Sequence, residues 1–287
     1  MKSIKSTVIL AFVLFLAGTT VAGATQILYV DTYNSVTGVS SLYTLTTAGV
    51  ATKQGDIKLG GTGNLAITDI AFNLTTETMY AISATNLYTL DFKHANGTTV
   101  TATAVGTGTG NLRLQGLVVG SGGTIYADNT YVTSGSDKPG HLFAIDASGV
   151  GSSIGSNGKA GSNNYIGDFG DLAFVGSTLY GTFAVNGSTN TFLGTANTGT
   201  GAVSSLHDMG VANVDGLAYY LPTSTLYAIT RTGTLYTVNT SSGELTNAQT
   251  TGLSNVYGMT SVPLPPTMLL LGFGLVGLIG LRRKLKG

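Results

Sequence analysis

Three aspartates stand at or beside the start of a repeated phrase, and they are the side chains of this sequence best placed to do chemistry. Asp69 opens Asp69-Ile70-Ala71-Phe72, Asp171 opens Asp171-Leu172-Ala173-Phe174, and Asp215 precedes Gly216-Leu217-Ala218-Tyr219. If each phrase is the innermost strand of a repeated sheet, the carboxylates gather near a common axis. Acidic oxygens from several repeats can hold a hard cation such as Ca²⁺, so Asp69, Asp171 and Asp215 are the candidate metal ligands. The plainer role is structural: Asp commonly caps turns through backbone N–H groups. Gln115-Gly116 and Val256-Tyr257 interrupt the acidic pattern in two further copies of the phrase.

The rest of the catalytic inventory is thin. His94, His141 and His207 fall in different repeats, with no pair spaced to share a metal. His141 directly precedes a strand, and His207 sits beside Asp208 in an expected loop. There is no Walker-type phosphate loop or HExxH helix. The absence of cysteine removes disulfides, thiolate metal sites and cysteine nucleophiles together. Met79, Met209 and Met259 read as apolar fillers. Asn73, Asn96, Asn186 and Asn239 match the N-glycosylation pattern, but a chain this rich in Asn, Ser and Thr produces such matches by chance. The expectation is a non-enzymatic protein with no cofactor.

Charge points the same way. Lys2 and Lys5 precede the first apolar run, and Arg282, Arg283, Lys284 and Lys286 follow the last. The seven other basic residues face all 13 acidic ones, leaving the middle of the chain at a net charge of −6. An acidic body gives no electrostatic reason to bind nucleic acid.

The elements that must position the aspartates form a repeat. Each phrase is followed by a strand with an aromatic: Met79-Tyr80-Ala81-Ile82, Ile125-Tyr126-Ala127, Leu179-Tyr180-Gly181 and Leu226-Tyr227-Ala228-Ile229. Further strands follow at Leu87–Leu90, Leu142–Ile145, Thr191–Gly194 and Leu235–Val238. Tyr29, Tyr80, Tyr126, Tyr180 and Tyr227 mark five units, 51, 46, 54 and 47 residues apart. A period of about 50 with four strands per unit predicts an all-β, five-bladed β-propeller. The first unit lacks its opening strand, and Tyr257–Thr260 supplies one at the far end, so N- and C-terminal strands are expected to close the ring. The pattern resembles the broad group of NHL- and YVTN-like propellers without a diagnostic blade motif, and that resemblance implies no activity. A β-solenoid or a sandwich is the alternative.

Both ends carry export features. Lys2 and Lys5, the apolar run Val8–Ala17 and the small residues at Ala22-Gly23-Ala24 follow the order of a secretory signal, with cleavage expected after Ala24. Residues 1–24 are therefore read as a signal peptide, 25–261 as the propeller domain and 262–287 as a separate tail. A helix over Leu264–Leu281 would be about 27 Å long, just short of the usual hydrocarbon thickness. Arg282, Arg283 and Lys284 would stop its transfer.

The tail Val262-Pro263-Leu264-Pro265, its apolar run and the basic cluster resemble the VPLP-type variant of the PEP-CTERM sorting signal of Gram-negative bacteria, many of which produce exopolysaccharide. Leu264 stands where the commoner form has Glu, and Pro266 where the variant often has Ala. The resemblance implies handling by secretion machinery and signal peptidase, then by an exosortase-like membrane enzyme acting near the motif. It also implies passage through the inner membrane to the cell surface or extracellular matrix, with exopolysaccharide or surface proteins as partners. A plain membrane anchor is the alternative. The function expected is a non-enzymatic surface or matrix protein presenting a propeller for interaction. A carbohydrate- or Ca-binding module and a secreted hydrolase or lactonase-like enzyme are the competing readings.

Overall fold

The repeated phrases become strands in the computed structural model, which describes residues 26–110, 112–129, 140–161 and 164–263. Runs of β-branched and aromatic residues between Gly, Asn and Ser turns favour strands over helices. The helical pieces among the described residues are two 3-10 turns, Phe92–His94 and Leu221–Thr223.

The chain begins with β1 (Gln26–Asn34), β2 (Val39–Leu45), β3 (Ala51–Leu59) and the two-residue β4 (Gly63–Asn64). It continues through β5 (Asp69–Asn73), β6 (Thr78–Ile82), β7 (Leu87–Asp91) and β8 (Thr99–Val105). A second sheet holds β9 (Leu114–Val119), β10 (Ile125–Asn129), β11 (His141–Ile145) and β12 (Gly151–Ser156). A third holds β13 (Ile166–Val175), β14 (Thr178–Val185), β15 (Thr191–Ala196) and β16 (Val203–Asp208). The fourth is β17 (Val214–Tyr220), β18 (Thr225–Thr230), β19 (Thr234–Val238) and β20 (Leu245–Thr250). The last strand, β21 (Val256–Pro263), returns to lie beside β1.

The five-bladed propeller expected from the repeat is not the architecture found. Five separate four-stranded sheets were implied, whereas the described residues form four sheets, one of them nine-stranded. That sheet runs β21-β1-β2-β3-β8-β7-β6-β5, with β4 attached to β3. Its two halves are joined by a parallel pairing of β3 with β8, from Asp56↔Thr99 to Leu59↔Ala102. The other strand pairs with a printed register are antiparallel. Gly55 makes the union possible: at φ +151° it adopts a conformation L side chains rarely reach, and a Cβ there would lie 2.6 Å from the Thr99 nitrogen. The terminal strand therefore extends a nine-stranded sheet; it does not complete a separate blade.

The core is distributed between sheets. Ala71, Ile82 and Leu87 of the first sheet pack with Leu117, Ile125 and Phe143 of the second. Leu142 meets Leu172, Leu179 and Phe183 of the third, while Leu28, Val30 and Leu45 meet Ala218, Ile229 and Leu235 of the fourth. Each buried aliphatic side chain contributes on the order of 2 kcal/mol. The strands that carry the repeated phrase, β5, β9, β13 and β17, pack against one another in sequence.

The transmembrane helix is also corrected, and with it the inner-membrane stage of the expected localisation. No helix among the described residues is long and apolar enough to cross a membrane. Leu264–Leu281, Arg282, Arg283 and Lys284 lie outside the described residues, as does the expected signal peptide with Ala22 and Ala24.

Candidate functional site

Aligning the repeated phrase strand by strand gives Asp69 in β5, Gly116 in β9, Asp171 in β13, Gly216 in β17 and Gly258 in β21. The structure shows why acid and glycine share this position. Asp69 Oδ2 accepts the N–H of Leu117, the residue after Gly116. Asp171 Oδ2 accepts the N–H of Leu217 at 2.7 Å and of Met259 at 3.0 Å, the residues after Gly216 and Gly258. Each aspartate also accepts the N–H of its own successor through Oδ1, Ile70 and Leu172, both at 2.6 Å. Two carboxyls thus collect five N–H groups from five strands in all four sheets.

Gly258 supplies the space. A Cβ on Gly258 would overlap Asp69 Oδ1 and stand 2.8 Å from Asp31 Oδ1. A side chain at that position in β21 would expel the acids it faces. The residues that follow the glycines donate to the acids, and Gly258 is the glycine whose bare Cα makes room for them.

The two aspartates hydrogen-bond to each other, which requires a shared proton. Burial pushes both carboxyls up from the usual range, and the nearby charge of Asp171 pushes Asp69 further. Asp171, held by three N–H donors, is the better anion of the pair and Asp69 the better acid. Asp31 in β1 joins them. It is 0% exposed, neither of its oxygens accepts a hydrogen bond, and burial together with the Asp171 charge raises it well above the carboxylate range. Its own N–H and that of Gly258 are close enough to favour the charged form without completing a bond.

Asp215 follows a different course. Its Oδ2 takes the Arg231 Nε–H, and its Oδ1 is unpartnered. Burial raises this carboxyl to about 6 against the opposing pull of Arg231. Asp69 and Asp171 are brought together, then, and Asp215 is committed to an ion pair. Asp31 was missed by the sequence reading because it ends an aliphatic run outside the repeated phrase. Among the described residues no group of three or more His, Cys, Asp or Glu is arranged to hold a metal ion. His94 pairs with Asp91 at 2.7 Å and His141 with Ser153 at 3.0 Å, both at the surface.

A cavity of ≈ 370 Å³ lies among the same strands, with none of the four aspartates in its lining. Ala71, Leu117, Ala173, Ala218 and Met259 wall it, one from each of the same five strands, and Leu74 and Leu221 stand exposed at its rim.

The decisive likeness to known proteins lies at the other end of β21. Residues 261–284 match the PEP-CTERM protein-sorting motif. A PEP-CTERM-like sorting motif is present near the C-terminus. The match covers Val262, Pro263, Leu264 and Pro265 together with Arg282, Arg283 and Lys284. No curated protein matches the chain. Among solved structures, a protein from Lactobacillus plantarum is similar at 11% identity and a TM-score of 0.44, over 83% of this chain and 99% of that one. Virginiamycin B lyase from Staphylococcus aureus is similar at 14% identity and a TM-score of 0.37, over 77% and 73%. A computationally designed protein, Ika4, gives 16% identity and a TM-score of 0.35, over 63% and 94%. Likenesses this distant carry neither fold nor chemistry to the PEP-CTERM-tagged chain.

Proposed function

We propose that this chain is a sorted surface or secreted protein whose β body is a non-catalytic binding module. The observation that carries the proposal is the PEP-CTERM-type motif at 261–284. On this reading a signal peptidase removes residues 1–24 after Ala24, and an exosortase-type enzyme processes the chain near Val262–Pro265.

The non-catalytic part of the proposal draws on how the acids are used. Catalytic carboxylates need a free lone pair or proton facing substrate. Asp69 and Asp171 spend theirs on strand N–H groups and on each other, and Asp215 spends one oxygen on Arg231. Five strands depend on these bonds, so chemistry at the same atoms would put the packing at risk.

Mass analysis of the mature ends, with fractionation, tests the sorting. Wild type is expected to leave the cytoplasm with residues 1–24 removed and with a new C-terminus near the motif. Replacing Pro263 and Pro265 by Ala, or deleting 262–287, is expected to block that processing and misdirect the protein. A cytoplasmic product that keeps Met1–Ala24 and an unprocessed tail would sink the proposal.

A further inference from the structure

The first sheet carries a second cavity, of ≈ 680 Å³, with a different character. Strand register decides what lines it. Thr32 stands opposite Ser41, Ser41 opposite Asp56, and Tyr43 opposite Lys53, so these side chains share one face of β1, β2 and β3. Residues an odd number apart on a strand normally face opposite ways. A register shift between Leu42 and Tyr43 overrides this in β3 and puts Lys53 and Asp56 on the same side.

There Lys53 Nζ meets Asp56 Oδ1 at 2.6 Å, and the Ser41 hydroxyl donates to the same oxygen at 2.7 Å. Burial pushes Asp56 up, but the hydrogen bonds from Lys53 and Ser41 and the charges of Lys53 and Lys58 outweigh it and hold the carboxyl below its usual range. Lys58, two residues on, lines the cavity and makes no salt bridge among the described residues. With Lys53 and Asp56 neutralising each other, Lys58 leaves this face with one positive charge. The body's net charge is −6, and two of its seven basic residues meet in this one cavity. The local sign therefore opposes the body's.

Tyr43 adds a half-buried ring beside those charges. An aromatic ring edged by hydroxyl, ammonium and carboxylate groups suits a sugar, which has an apolar C–H face and a rim of hydroxyls. A peptide added as a strand needs an open sheet edge. None is offered here: β1 lies between β21 and β2, β2 between β1 and β3, and β3 has β8 on its outer side. Pockets of this volume hold ligands of a few rings.

We propose that the cavity binds a short stretch of acidic polysaccharide, with a uronate carboxylate on Lys58 and a sugar face on Tyr43. The inference rests on the reading of the chain as a surface or secreted binding protein. Its test is independent of export, because it uses purified full-length protein and so separates failure of binding from failure of sorting.

The experiment is calorimetric titration with a tetragalacturonate, beside maltotetraose and a tetra-aspartate peptide, on wild type, Lys58→Gln and Tyr43→Ala. Thermal unfolding confirms that each variant folds. Saturable tetragalacturonate binding is expected, weakened by added salt and roughly tenfold poorer in each variant. Maltotetraose and the peptide are each expected to bind at least about tenfold more weakly than the uronate. Absence of uronate binding, equal binding in folded Lys58→Gln, or equal or tighter binding of either control ligand would overturn the proposal.

Discussion

Raising the pH from 5 to 8 should loosen this fold, because its inner strands meet on carboxyls that hold protons. Asp31, Asp69 and Asp171 are all raised by burial, and Asp69 is bonded to Asp171 through a shared proton. An unfolded chain releases those protons near pH 4. Above that pH the native state binds more protons than the unfolded one, so stability falls as pH rises, until the native carboxyls themselves titrate. One extra proton corresponds to about 1.4 kcal/mol per pH unit. If the Asp69–Asp171 pair keeps its proton throughout, moving from pH 5 to pH 7 costs about 3 kcal/mol, and a second proton on Asp31 would double that. Against a typical stability of roughly 5–15 kcal/mol, the change is large enough to measure.

Urea unfolding followed by far-ultraviolet circular dichroism at half-unit pH steps gives the slope. Asp69→Asn isolates the pair. Its amide can donate to Asp171 as the acid does, but it cannot lose that proton. One N–H acceptor is given up, so the variant should be less stable than wild type at pH 5 by about 1–3 kcal/mol. Its stability should fall less steeply with pH, closing the gap by pH 8. A wild-type stability that is flat or rising between pH 5 and 7, or identical slopes in the two proteins, would refute the shared-proton account.

Three further outcomes follow from the same geometry. Gly258→Ala puts a Cβ into Asp69 Oδ1 and should cost more than about 2 kcal/mol in urea unfolding, whereas Gly122→Ala, which meets nothing within 4 Å, should stay within about 0.5 kcal/mol. Gly55→Ala should split the nine-stranded sheet at β3–β8, read as faster hydrogen exchange at the Asp56 amide, which now donates to Thr98 O at 2.8 Å. Arg231→Gln leaves Asp215 buried without its cation and should cost about 3 kcal/mol, at the low end for a buried pair because Arg231 is one-third exposed. Since burial already raises Asp215 to about 6, its contribution is lost as pH rises, and the thermal midpoints of variant and wild type should diverge further at pH 8 than at pH 5.

The all-β class and many of the strands were legible in the sequence because they depend on local pattern. Leu87–Leu90 and Leu142–Ile145 alternate or cluster apolar residues between turn formers, and they lie within β7 and β11. How sheets join was not legible, since it rests on a missing side chain. Gly55 looks like any turn glycine in a chain holding 42 of them, yet its bare Cα lets β8 reach β3. The repeat period counted phrases correctly and still implied the wrong number of sheets, because periodicity describes units and not the hydrogen bonds between them.

The candidate site was half visible for a related reason. A search for repeated acids finds Asp69, Asp171 and Asp215 and treats Gln115-Gly116 and Val256-Tyr257 as interruptions. Backbone N–H groups carry no residue-type signature, so Leu117, Leu217 and Met259 look like ordinary core positions. The useful signal was the alternation itself. A buried carboxyl must find donors, and the residue after each of Gly116, Gly216 and Gly258 offers its N–H to one. Of the three glycines, Gly258 is the one whose Cβ would strike an acid; a Cβ on Gly116 would press on Leu172, and one on Gly216 on Ile229 and Met259. The phrase position reads Asp, Gly, Asp, Gly, Gly through β5, β9, β13, β17 and β21, with Asp31 as an extra acid crowded against the last glycine.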